Sequence, residues 1–251
     1  TAFDQQKVST TEYGTAFSSM NGVWVGTDAA ALLNASTGSN NQIIETFQRA
    51  PGFHDVVVYT GTGTNTTITH NLGVAPELII VKKTSASGNW PVYHASLGNT
   101  KYILVNSTAG AVTDSTYWNN TSPTSSVFSV GTSSNTNGSG STYVAYLFAT
   151  LSGVSKVGTY TGNGSSQTIN CGFGASGARF VLIKELANAN WVVFDSARGL
   201  TSTSSPYIAL SNMGVEATGN NGCYAASTGF TVTSASGFNY NASTYIYLAI
   251  A

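Results

Sequence analysis

The chain repeats itself. Tyr59-Thr60-Gly61-Thr62-Gly63 returns as Tyr160-Thr161-Gly162-Asn163-Gly164, and Leu78-Ile79-Ile80-Val81-Lys82 returns as Phe180-Val181-Leu182-Ile183-Lys184. Asn89-Trp90-Pro91-Val92-Tyr93 matches Asn190-Trp191-Val192-Val193-Phe194, and Tyr102-Ile103-Leu104-Val105 matches Tyr207-Ile208-Ala209-Leu210. Further on, Val127-Phe128-Ser129-Val130 pairs with Gly229-Phe230-Thr231-Val232, and Ser141-Thr142-Tyr143-Val144 with Ser243-Thr244-Tyr245-Ile246. The matches keep their order, and their offsets run only from 101 to 105 residues. A period of that length is a structural unit used twice, and each unit of about 100 residues is large enough for its own core. The expected organisation is an N-terminal segment over 1–51, repeat A over 52–150 and repeat B over 153–251. The N-terminal segment reads as a partial repeat, a linker or an assembly arm. Ile43 to Phe47 sit where Val144 to Phe148 sit one unit later, Asn34-Ala35-Ser36 echoes Asn241-Ala242-Ser243, and Trp24 stands where Phe128 stands.

Within each repeat the pattern is that of short strands. Val56 to Tyr59 is a β-branched run, and Thr66-Thr67-Ile68-Thr69 alternates as a half-buried strand does. Leu78 to Val81 is apolar on both parities and predicts a central strand covered on both faces. Tyr143, Ala145 and Leu147 face one way, Val144, Tyr146 and Phe148 the other. Gly, Asn and Ser cluster between the runs, with Gly61-Thr62-Gly63 and Gly162-Asn163-Gly164 reading as hairpin turns rather than phosphate loops. The fold class expected is all-β: tandem β-sandwich repeats with a partial N-terminal unit. The best helical pattern, Asp28 to Leu33, is one or two turns at most, and short turns are expected after Asn106 and Asn212.

Composition excludes several partners. Only 8% of the 251 residues are charged, the net charge is −1, and Ser, Thr and Asn number 88. Nine scattered Lys and Arg give no basic patch for phosphates, so nucleic acid is not an expected partner. No apolar run approaches the roughly 20 residues that span a bilayer, so no membrane insertion is expected. With few charges to guard strand edges, those edges are expected to pair with neighbouring copies. The first residue is Thr, and the chain is read as processed or as part of something longer.

Candidate chemistry is sparse. The ten acids are isolated from one another, so no acid–base pair stands out, and Asp195 reads as a strand-end polar residue whose counterpart is His94. His54, His70 and His94 have no matching histidines in repeat B, which argues against a metal site. No nucleophile, metalloprotease or phosphate-loop motif appears, and no catalytic residue, metal or cofactor is expected. Cys171 and Cys223 read as two free, partly buried thiols, with a single staple as the alternative. Eight Asn-x-Ser/Thr triplets occur, and a chain this rich in Asn, Ser and Thr makes them by chance. Trp90 and Trp191 lie in apolar runs and are assigned to the core. Tyr117-Trp118-Asn119 lies in a polar stretch and is the leading candidate for a glycan or partner contact, with Tyr224 as the weaker candidate in repeat B. The competing reading of Trp118 is a loop aromatic tucked onto the sandwich.

Three stretches carry a family resemblance. Phe47 to Gly61, His70 to Lys82 and Thr142 to Ala149 resemble a repeat found in tailed-phage virion appendage proteins of the tail-fibre-like kind. Repeat A fits it well. Repeat B departs at Cys171 and at Ala175-Ser176-Gly177, where A has His70 and Pro76. The resemblance implies a non-enzymatic virion structural protein at the outer surface of an extracellular particle, with a role in host attachment through surface glycans. The partners it implies are copies of itself, as a homo-oligomer, and other virion proteins. A capsid decoration protein and a glycosylated extracellular filament or surface-layer module are the alternatives.

Overall fold

The computed structural model describes residues 15–18, 22–25, 47–175, 177–211, 216–234 and 237–251, the first two stretches as backbone. The chain divides into two units, Thr1–Arg49 and Ala50–Ala251. In the first, β1 (Thr15–Ser18) and β2 (Gly22–Val25) pair antiparallel. The helical pattern at Asp28 to Leu33 lies outside the described residues.

The second unit holds both repeats. Its first half contains β3 (His54–Thr60), β4 (Thr66–Thr69), β5 (Leu78–Lys83), β6 (Pro91–His94), β7 (Lys101–Leu104), β8 (Val112–Thr113), α1 (Ser115–Trp118), β9 (Val127–Val130) and β10 (Thr142–Phe148). These make a six-stranded sheet ordered β3-β10-β5-β6-β7-β8 and a two-stranded sheet, β4-β9. The second half contains β11 (Ser155–Thr161), β12 (Gln167–Asn170), β13 (Phe180–Glu185), β14 (Trp191–Asp195), β15 (Tyr207–Ala209), β16 (Cys223–Ala226), β17 (Gly229–Val232) and β18 (Thr244–Ile250). Its sheets are β11-β18-β13-β14-β15 and β12-β17-β16. The large and small sheets of each half share one core. Ile79, Val81, Tyr143, Ala145 and Leu147 of one sheet meet Phe128 and Val130 of the other, as Val181, Ile183, Tyr245 and Tyr247 meet Phe230 and Val232. The fold is an all-β sandwich architecture.

The halves agree in detail at their matched tyrosines. Tyr59 lies opposite Tyr143 and Tyr160 opposite Tyr245 across their strand pairs. The rings stack at 5.2 Å and 4.8 Å, and Phe128 and Phe230 each stand edge-on at 6.1 Å. Tyr59 Oη donates to the Thr136 carbonyl and Tyr160 Oη to the Phe238 carbonyl, both at 2.6 Å. Asn137 Oδ1 accepts from Thr62 N at 2.8 Å, and Asn239 Oδ1 accepts from Asn163 N at 3.0 Å. Each Asn thus ties the turn after the first strand to the loop before the last.

Those turns differ from the expectation. β3 pairs with β10 while β4 pairs with β9, so Gly61 to Gly63 do not close a hairpin. They carry the chain from the large sheet to the small one. Glycine is needed because the loop before β10 crosses directly over the turn. A Cβ on Gly61 would strike the Gly138 carbonyl, and one on Gly162 the Tyr240 carbonyl.

The two halves meet through unlike surfaces. Lys184 and Trp191 lie on the side of their sheet opposite Ile183 and Val192, which fill the core. Trp191 Nε1 donates to the Leu104 carbonyl of the first half at 2.9 Å, and Ser211 Oγ to the Val105 carbonyl at 3.0 Å. The Lys184 amine is 0% exposed at the residue level and donates to the carbonyls of Thr108 (3.0 Å), Ala187 (3.0 Å) and Ala189 (2.7 Å). Its three donors are all used. Burial nevertheless lowers its pKa to about 8, with Glu185 opposing. Lys82, the matched residue, donates to Gly88 O at 3.2 Å in its own half and lies 5.5 Å from the Trp90 ring.

Candidate functional site

The polar run from Asp114 to Asn120 folds into one helical turn. The Asp114 carboxylate accepts from Thr116 N at 2.9 Å and from Thr116 Oγ1 at 2.7 Å, which caps the start of α1. Asn119, at φ 50, ends it in the left-handed region and returns its N–H to the Ser115 carbonyl. One turn with both ends satisfied points two consecutive aromatics inward. Tyr117 stacks on Tyr102 at 3.6 Å, and its Oη accepts from Asn135 Nδ2 at 3.1 Å. Trp118 stands edge-on to Tyr93 at 6.0 Å and is 1% exposed.

This corrects the expectation of an exposed ring pair at Tyr117 and Trp118. Tyr117 and Trp118 are core residues, and Asn119 is a half-buried helix terminus. The polar neighbours that suggested an exposed ring pair serve the helix ends instead.

Among the described residues the second half shows no counterpart of this helix. Between β15 and β17 it runs the strand β16, which pairs with β17. Cys223 on β16 is buried in the core and is too small to fill the place of an aromatic pair. Phe238 stands where Thr136 stands and packs on Phe194 at 5.1 Å and Tyr207 at 5.6 Å. That recovers part of the lost volume. What remains is an open cleft of about 520 Å³. Ile183, Val192 and Tyr245 are among its apolar and aromatic lining residues. Tyr207, Phe238, Tyr224 and Tyr240 add rings, and Asn188, Asn190, Asn220 and Asn221 add amides. Tyr207, Gly237, Phe238 and Tyr245 match Tyr102, Asn135, Thr136 and Tyr143. In the first half Tyr117 rests on three of those four: on the Tyr102 ring, on the Asn135 amide, and through its carbonyl on Thr136 Oγ1 at 3.4 Å. Part of the cleft wall is thus built from the positions on which Tyr117 rests in the first half.

Tyr224, the remaining candidate, lines this cleft. Tyr207, Tyr240, Asn188, Asn220 and Glu185 were not singled out by the sequence reading. The available signal was a mismatch: Tyr117-Trp118 has only Cys223-Tyr224 in the comparable region, and Thr136 becomes Phe238.

The other polar candidates have local roles. Asp195 Oδ1 accepts from Arg198 N at 2.8 Å and its carboxylate pairs with the Arg198 guanidinium, which also reaches Glu216 at 3.3 Å. His94 Nδ1 accepts from Ser96 N at 3.1 Å. Asp195 and His94 thus do one job, receiving the N–H of the turn after their strand. His54 Nδ1 lies 2.9 Å from the Leu147 carbonyl, and its ring stacks on Phe148 at 4.3 Å. Among the described residues no three His, Cys, Asp or Glu side chains gather as a metal site. Cys171 and Cys223 are free and buried. Burial pushes the Cys171 thiol up to about 11 and the Cys223 thiol higher still, which keeps both protonated and unreactive at neutral pH.

Among the described residues no helix is long and apolar enough to cross a membrane. A family model described as a domain of unknown function, DUF7483, matches residues 8–251. No curated protein matches the chain. No solved structure matches it.

Proposed function

The chain belongs to the DUF7483 family, and we propose that it is a non-enzymatic structural segment of a phage appendage that contacts glycans on the host surface. The observation that carries the contact role is the cleft of the second half, which combines five aromatic rings with four side-chain amides. Rings offer apolar faces to sugar C–H groups, and amides offer both donors and acceptors to hydroxyls. Glu185 is the one carboxylate lining it, whereas acid–base hydrolysis of a glycoside uses two. The virion role is supported by the resemblance of residues 47–61, 70–82 and 142–149 to tail-fibre-like repeats. A surface whose polarity comes from neutral groups also suits an exposed particle component, because little of its cohesion is screened by salt.

The test is immunolabelling of purified particles from cultures that carry the gene. Label on the particle appendage is the expected result. Label confined to cell-surface filaments would overturn the virion reading in favour of a cellular filament. Release of soluble oligosaccharides from host polysaccharide, abolished by Asp114→Asn or Asp195→Asn, would overturn the non-enzymatic reading.

A further inference from the structure

We propose that the cleft of the second half is a binding site for a neutral saccharide, and that Tyr117 closes the equivalent space of the first half. The assignment rests on the glycan-contact reading above and gives it a place and a ligand class. At about 520 Å³ the cleft falls within the roughly 300–1,000 Å³ of small-ligand sites.

Its lining selects the ligand. No Lys or Arg lines it, so nothing there balances a phosphate, a sulfate or an acidic sugar. A single carboxylate, Glu185, is too little for a divalent cation, which takes several oxygen ligands. Amides along the wall would leave buried polar groups unpaired against a hydrocarbon ligand. A ring bearing neutral hydroxyls meets none of these objections.

The binding groups are also uncommitted. The side-chain amides of Asn188 and Asn220 and the hydroxyls of Tyr224 and Tyr240 make no hydrogen bond among the described residues. Asn190 Oδ1 is buried with no hydrogen-bond partner. Tyr240, a large ring of the lining, is 59% exposed. Asn221 differs: its amide is spent on the Ser205 carbonyl at 2.9 Å, and it shapes the wall. In the first half Asn89, which matches Asn190, accepts from Asn106 Nδ2 at 3.0 Å, and Asn135, which matches Gly237, donates to Tyr117. Two copies of one scaffold thus differ in whether this space is filled from within.

Titration calorimetry on the full chain tests the assignment. The probes are maltotriose, lactose and diacetylchitobiose, with N-acetylneuraminic acid as the charged control. At least one neutral probe should bind and the charged control should not. Tyr224→Ala and Asn188→Ala should each weaken binding about tenfold or more. Tyr117→Phe should leave it unchanged, and unaltered far-UV spectra would show the variants folded. The assignment is overturned if no neutral probe binds, if binding survives both cleft substitutions, or if only the charged sugar binds. Failure here with label on the particle would remove this site and leave the appendage role standing. Sugar binding in the cleft without particle label would do the reverse.

Discussion

At the scale of single residues, the strongest constraints are buried hydroxyls and one buried imidazole. Tyr59 and Tyr160 each place a phenol against a loop carbonyl at 2.6 Å. Burial raises the pKa of both far above the ordinary phenol value, so they stay neutral donors. Tyr59→Phe and Tyr160→Phe should each cost about 1–2 kcal/mol, because a carbonyl loses its donor. Denaturant unfolding of the two variants should give matching losses, since the surroundings match. His94 makes stability depend on pH. Burial lowers its pKa from 6.5 to about 4, with the Tyr247 carbonyl opposing. Below 6.5 the unfolded chain takes up a proton that the folded chain refuses. The contribution of neutral His94 is therefore complete above pH 6.5 and is lost as pH falls toward 4. The span is about 3 kcal/mol. Burial also lowers the pKa of His70, which adds in the same direction. Thermal midpoints measured at stepped pH should fall through this window, and His94→Gln should flatten the profile.

At the scale of elements, α1 is the informative piece. Trp118 fills the first core, yet its Nε1 is buried without a hydrogen-bond partner. Trp118→Ala should cost about 3–5 kcal/mol through the cavity it leaves. Trp118→Phe should cost far less, because it removes the unpaired N–H along with part of the ring. Chemical denaturation of the two variants separates these terms. The strands were legible in the sequence because alternation is a local property. Thr66 to Thr69 alternates in exposure, and Leu78 to Val81 lies in the sheet interior as its unbroken apolar run implies. The helix and the turns were not legible for the same reason. Asp114 and Asn119 act through the backbone ends they cap, so their polarity says nothing about where Trp118 points. Gly61 and Gly63 mark a turn correctly, but which sheet receives the next strand depends on partners dozens of residues away. The cleft was hidden more deeply, because its lining residues are gathered from positions between Ile183 and Tyr245 that are far apart along the chain.

At the scale of the whole molecule, hydrogen bonds run from one sheet face of the second half to one irregular stretch of the first, and apolar side chains that belong to neither core, among them Val144, Phe148, Leu182 and Leu248, are buried as well. Lys184 is the centre of that contact. Lys184→Met should cost about 1–3 kcal/mol, since three carbonyls lose their donor. Lys82→Met should cost less, because Lys82 serves a single carbonyl of its own half. Urea midpoints of the pair measure the difference. The sequence carried the matching of Lys82 with Lys184 and of Trp90 with Trp191, but not that the later member of each pair reaches into the earlier half. Because Trp191 and Lys184 give while Leu104, Val105 and Thr108 receive, the joint has a direction. Units added by that rule would form a row with a front and a back, as bricks do when each has a tongue on one side and a groove on the other. Such a row runs on as a filament unless the rotation from one unit to the next brings its ends together, and its reach is then fixed by how many units are laid down.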